Sequence, residues 1–234
     1  MVQFFFPLIA ALSFGPALLM LYFSLSRYTW PKVEKAYFDD RWIFGLLAVG
    51  IIVGAVFVYF QDGAQASGGG VLFVILFSVI QQLVVLVVLN FPRVRLKGGG
   101  RFYGYSLGTS IAAGIALGEY GIVFRGGSAF DYPTLAILLV YTFGLELMGG
   151  ATGSVIGHSI ETGDAARGMT LSSAMLVVFN FLMIPVFSFR PSALTFAFDS
   201  AALLLSAVVY AWVYRAVLPA PFPSAKPERR KRIM

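Results

Sequence analysis

Polar side chains inside long apolar stretches are the residues of this sequence most able to do chemistry. Placing a polar group in lipid costs free energy, so each such group needs a partner inside the protein or has a function. A protonated Glu146 could donate a hydrogen bond to the side-chain carbonyl of Gln82 or Asn180. Such a bond would do no more than hold helices together. The candidates stand near the middle of a stretch or toward one end: Gln81, Gln82, Glu119, Glu146, Asn180 and Asp199.

The acidic residues could instead work on a substrate. Together with His158, the single histidine, Glu119 and Glu146 would supply metal ligands or a general base. His158 and Glu161 are spaced i, i+3, which places both on one face of a helix and makes them candidate metal ligands. One histidine and no cysteine form a poor ligand set for zinc, so we expect neither a metal nor a cofactor unless the chain is a protease.

The elements that position these residues must be membrane-spanning helices. The 234 residues are 59% hydrophobic and 12% charged, and the mean hydropathy is +0.83. Soluble domains carry about 25% charged residues. This composition excludes a soluble enzyme, a disordered chain and a nucleic-acid partner, and it predicts an integral membrane protein in contact with lipid.

Seven apolar stretches are each long enough to cross a hydrocarbon layer of about 30 Å. They cover residues 2–26, 42–60, 71–91, 102–124, 132–157, 169–189 and 192–217. We therefore predict an all-α fold, with a seven-helix transmembrane domain over residues 1–217. A proline-rich basic tail follows over residues 218–234.

The basic residues predict the orientation of these spans. All but two of the 17 Lys and Arg residues follow the first, third, fifth and seventh spans, and the exceptions are Arg125 and Arg190. Positive charge is retained on the cytoplasmic side. We expect an outside N-terminus and a cytoplasmic C-terminus, in the plasma membrane of a prokaryote.

Glycines four residues apart mark two consecutive spans. Small residues at this spacing let helix backbones approach closely. The two stripes either pack inside this bundle or form a groove for another membrane helix. They are Gly104, Gly108, Gly114 and Gly118 in the fourth span, and Gly149, Gly153 and Gly157 in the fifth.

Short motifs occur in four of the seven spans. The first span contains Phe14-Gly15-Pro16-Ala17, and the third contains the pair Gln81-Gln82. The fourth contains Tyr103-Gly104-Tyr105-Ser106-Leu107-Gly108 and then Glu119, and the fifth contains Met148 four residues before Thr152-Gly153.

Over roughly residues 14–157 this set resembles the PrsW-type intramembrane proteases and the anterior-pharynx-defective subunit of γ-secretase. The resemblance implies a membrane bundle and, for the protease family, peptide hydrolysis within the membrane. It also implies a degenerate member. Gln81 and Gln82 replace the family's two glutamates, Met148 replaces its histidine, and Glu119 alone is retained. The two intramembrane histidines of the γ-secretase subunit would fall near Tyr141 and Ala174, and neither is present.

Three functions stay open. The first is a catalytically silent scaffold that binds other transmembrane proteins or helices. The second is an active intramembrane peptidase that uses Glu119, Glu146 and His158, with zinc or with carboxylates alone. The third is a transporter of a small solute or lipid that uses the polar residues at mid-membrane: Gln81, Gln82, Glu146 and Asn180.

Overall fold

The protein is a bundle of helices. The computed structural model describes residues 2–28, 37–66, 71–95, 98–125, 132–186 and 191–219, and no strand occurs within these ranges. This confirms the predicted all-α fold. The predicted tail lies almost entirely outside the described residues. The helices are α1 (Val2–Leu25), α2 (Asp40–Ala66), α3 (Val71–Asn90), α4 (Pro92–Arg95), α5 (Gly100–Arg125), α6 (Tyr132–Thr162), α7 (Ala165–Met183) and α8 (Ala193–Ala216).

All helices in the described ranges except the short α4 are long and apolar enough to cross a membrane, which gives seven spans. They correspond in order to the seven apolar stretches of the sequence. The fifth span is longer than its hydropathy predicts: α6 has 31 residues, or about 46 Å at 1.5 Å per residue. It ends at a left-handed glycine, Gly163 (φ +83°), after which the Asp164 N–H donates to the Ser159 carbonyl at 2.8 Å.

Helices α5 and α6 form the centre of the bundle. Inside the protein, 78% of the α5 span and 72% of the α6 span is buried, against at most 39% of any other span. The most apolar span, α3, has a mean hydropathy of 2.9 and is only 22% buried. In a membrane the apolar side chains face lipid, so the less apolar, glycine-rich helices occupy the interior.

Glycines bring α5 and α6 into backbone contact. At each glycine of this interface, an added methyl group would collide with the carbonyl oxygen of the glycine on the opposite helix, because the two backbones touch. The helices are antiparallel, and the contacts pair Gly104 with Gly153, Gly108 with Gly149 and Gly100 with Gly157.

A second glycine face of α5 packs against α2. Gly114 lies against Gly54 and the Ile51 carbonyl, and Gly118 lies against the side chain of Val58. The Ser106 hydroxyl adds a hydrogen bond to the Ile43 carbonyl on α2 at 3.0 Å. Both glycine stripes are therefore covered by helices of the same chain and do not form an open groove.

Candidate functional site

The glutamine pair of α3 faces the protein interior. Gln81 and Gln82 are 2% and 1% exposed. The Gln82 side-chain amide donates to the Thr152 hydroxyl on α6 at 3.3 Å, and Thr152 donates to the Met148 carbonyl one turn away at 2.9 Å. The structure thus links α3 to α6 through a neutral hydrogen bond between two side chains.

Asn180 makes a separate link. Its amide donates to the Ser78 hydroxyl on α3 at 2.8 Å, and Ser78 donates to the Val74 carbonyl at 2.7 Å. A further contact between α7 and α6 is the Ser172 hydroxyl, which donates to the Thr152 carbonyl at 3.0 Å. The amides of Gln82 and Asn180 therefore donate to hydroxyls, and neither bonds to Glu146.

Glu146 on α6 is a buried acid without a hydrogen-bond partner among the described residues. It is 0% exposed, and neither of its carboxyl oxygens has a hydrogen-bond partner in the described part of the chain. Tyr105 and Tyr120 on α5 lie within electrostatic range of it. The structure thus places Glu146 near tyrosines of α5, without a hydrogen bond to the glutamines of α3.

Glu119 belongs to a different group of side chains. It lies near the C-terminal end of α5 and therefore near the beginning of the antiparallel α6. It is 5% exposed and lies within electrostatic range of Tyr141, which is also within range of Asp199 on α8. Asp199 is 1% exposed, and its carboxyl oxygens have no hydrogen-bond partner among the described residues. Tyr141 therefore lies within electrostatic range of acids on both α5 and α8. Arg190, a basic residue nine positions before Asp199 in the sequence, lies outside the described residues.

His158 and Glu161 lie near the end of α6, where Glu161 forms a salt bridge with Arg101. His158 Nδ1 lies 3.9 Å from the Glu161 carboxylate, which also lies 2.8 Å from both Arg101 Nε and an Arg101 terminal nitrogen. Another Arg101 nitrogen donates to the carbonyls of Val217 and Pro219 at 2.9 and 3.1 Å. Arg101 thus fastens the end of α8 to α5 and α6. Within the described ranges, no three His, Cys, Asp or Glu side chains are grouped closely enough to hold a metal ion.

A cavity of about 200 Å³ lies beside this salt bridge. Glu161 is on its wall and is about 22 Å along α6 from Glu146, at 1.5 Å per residue. The cavity is therefore separate from the buried acid. Its lining residues are Leu89, Val94, Arg95, Gly100, Ile160 and Glu161.

Three hydroxyl groups that sequence reasoning missed meet beside α5. The Ser24 hydroxyl lies 2.6 Å from that of Tyr210 and 3.1 Å from that of Tyr105, and the two tyrosine hydroxyls are 3.3 Å apart. Tyrosine and serine are common in apolar spans, so their types alone give no signal. Tyr105 and Thr109 are one turn apart on α5, which was the available hint of a polar face.

Comparison of the chain with protein families, with curated proteins and with solved structures finds no match.

Proposed function

We propose that this chain is a catalytically silent membrane scaffold that resembles the PrsW-type proteases and binds transmembrane segments of other proteins. The observation that carries the proposal is the hydrogen bond from Gln82 to Thr152. A protease of this kind needs ionisable acids that activate water, directly or through a metal. An amide neither ionises nor serves as a base. At this position it links two helices.

The positions of the remaining acids support the same conclusion. Glu119, the residue retained from the family motif, is near Tyr141, whereas Glu146 is near Tyr105 and Tyr120. The two carboxyl groups thus have different neighbours. Met148, at the motif's histidine position, is fully buried and cannot ionise.

A partner helix would bind the lipid-facing surface of the scaffold, because the glycine faces are already covered by helices of the same chain. A photo-crosslinking amino acid at lipid-facing positions tests this in native membranes. Suitable positions are Tyr22 on α1, Leu76 on α3 and Leu204 on α8, which are 51% to 68% exposed, with the buried Val85 as the control. We expect one crosslinked product of defined mass from at least one exposed position, none from Val85, and no change in a Glu119→Gln background. Absence of any product from the exposed positions would contradict the scaffold role.

We place the N-terminus outside and the C-terminus in the cytoplasm of a prokaryotic plasma membrane. The support is the concentration of Lys and Arg after the first, third, fifth and seventh spans. The chain has no cysteine, so single cysteines report accessibility cleanly. Ser128→Cys should react with a membrane-impermeant maleimide in intact cells, and Ser224→Cys should react only after lysis. The reverse pattern would invert the topology.

A further inference from the structure

The cavity of about 200 Å³ lies at one end of the bundle. Its wall is formed by the ends of three spans and by the short helix α4. Leu89 is the next-to-last residue of α3, Gly100 is the first of α5, and Glu161 is the next-to-last of α6. The cavity is therefore at the level where these spans leave the hydrocarbon layer, and lipid headgroups surround the protein at that level.

The inner part of the cavity wall is apolar. Leu89 is 2% exposed, and a methyl group at Gly104 on α5 would lie 3.2 Å from its side chain. Gly104 is one turn further into the bundle than Gly100, so Leu89 closes the cavity toward the middle of the membrane. The cavity thus has an apolar floor, whereas α4 and α6 contribute charged side chains to its wall.

Arg95 brings an unpaired positive charge to the cavity. In α4 the buried Val94 separates Arg93 from Arg95, and both arginines are exposed. Neither forms an ion pair in the described part of the chain, and residues 83–118 of the sequence contain no Asp or Glu. Arg95 lines the cavity, and Arg93 is not among its described lining residues. A guanidinium group can donate two parallel hydrogen bonds to a phosphate group, which makes Arg95 a suitable phosphate ligand.

Glu161 offers a hydrogen-bond acceptor in the same cavity. Its Oε2 receives both bonds from the Arg101 side chain at 2.8 Å, whereas its Oε1 accepts the Arg101 backbone N–H at 3.4 Å. Oε1 lies beside Gly100, because a methyl group there would be 3.5 Å away. A carboxylate oxygen can accept more than one hydrogen bond. Since Arg101 already balances the charge of Glu161, a neutral hydroxyl group suits Oε1 better than a second cation.

We propose that this cavity binds a glycerol phosphodiester, the headgroup chemistry of an anionic phospholipid such as phosphatidylglycerol. Arg95 binds the phosphate, and a glycerol hydroxyl donates to Glu161 Oε1. The volume suits a headgroup and not a whole lipid, because pockets for drug-sized molecules measure about 300–1,000 Å³. Basic pockets between membrane spans bind anionic headgroups in this way. The proposal does not depend on the scaffold function.

Lipid-dependent stability of the full chain in a non-ionic detergent tests the proposal. Unfolding temperature is measured against added phosphatidylglycerol and against phosphatidylmethanol, which has the same charge but no hydroxyl groups in its headgroup. We expect a saturable rise with phosphatidylglycerol. Phosphatidylmethanol should bind about tenfold more weakly, because it cannot donate to the Glu161 carboxylate.

A soluble probe identifies the source of the phosphodiester. Glycerophosphoglycerol has the headgroup of phosphatidylglycerol without its acyl chains. A rise in unfolding temperature with the lipid alone would support a lipid site. A rise with glycerophosphoglycerol that depends on Arg95 would support the same phosphate site and identify a soluble ligand.

The two arginines of α4 provide a matched control. Arg93 and Arg95 have equal charge and are both exposed, but Arg95 lines the cavity. At about 1 M NaCl the Debye length is about 3 Å, so general attraction between the surface and the lipid is screened. Under these conditions Arg95→Gln should weaken the apparent affinity for phosphatidylglycerol at least about tenfold, whereas Arg93→Gln should leave it within about twofold. Without lipid both variants should unfold at the wild-type temperature, because neither side chain has an ion pair to lose.

Three results would each overturn the proposal. They are no saturable rise with either phosphatidylglycerol or glycerophosphoglycerol, equal affinities for phosphatidylglycerol and phosphatidylmethanol, and equal effects of the two arginine variants.

Discussion

Gln82 on α3 and Thr152 on α6 are joined by a hydrogen bond of 3.3 Å between two fully buried side chains. The Thr152 hydroxyl also donates to the Met148 carbonyl. The backbone carbonyl of Thr152 accepts a hydrogen bond from the Ser172 hydroxyl on α7. These contacts hold α3, α6 and α7 together. This is the structural basis for considering the chain a scaffold.

The hydrogen bond between Gln82 and Thr152 should have a small but measurable coupling energy. A double-mutant cycle of Gln82→Leu and Thr152→Val, measured by equilibrium unfolding in mixed micelles, should give about 0.6 kcal/mol, the average for such bonds in membrane proteins. The cycle removes the separate effects of each substitution, including the loss of the bond from Thr152 to Met148. A coupling energy of zero would show that the bond does not stabilise the bundle.

Contact between the α5 and α6 backbones predicts that Gly153 tolerates no side chain. Gly153→Ala would push a methyl group against the Gly104 carbonyl, so we expect the free energy of unfolding to fall by about 1–3 kcal/mol. Gly121, also on α5, has nothing within 4 Å of the corresponding position. Gly121→Ala should leave stability unchanged or slightly higher. Equal losses from both variants would contradict the paired-glycine interface.

Arg101 should be more important to stability than its position near the end of the bundle implies. Arg101→Met removes its bonds to the Glu161 carboxylate and to the carbonyls of Val217 and Pro219. We expect a loss of at least about 2 kcal/mol, because hydrogen bonds to charged groups are among the stronger ones. Arg167→Met on the exposed surface of α7 is the control and should have little effect. A similar result for the two variants would show that Arg101 does not anchor α8.

Hydropathy alone was enough to predict the seven spans, because each apolar stretch must cover the thickness of the hydrocarbon layer. Helix ends were harder. The fifth span was predicted to end at Gly157, where polar residues begin, but α6 continues to Thr162 because the helix can leave the lipid before Gly163 ends it. Hydropathy measures the part of a helix that lies in lipid and not the whole helix.

Which side chains meet could not be read from the sequence. A span that is buried on nearly every side, as α5 and α6 are, shows no periodic apolar face from which its rotation could be inferred. The glycine spacing predicted close packing but not that Gly104 would lie opposite Gly153. For the same reason Glu146 was expected beside Gln82 or Asn180, and it lies instead toward Tyr105 and Tyr120.

Cleavage of a single-span reporter substrate by the purified chain in liposomes tests the central claim most directly. We predict no cleavage above that of protein-free liposomes, for both the wild type and Glu119→Gln, because the amides of α3 cannot replace ionisable acids. Cleavage by the wild type that Glu119→Gln abolishes would contradict the claim and show that the chain is an active intramembrane peptidase.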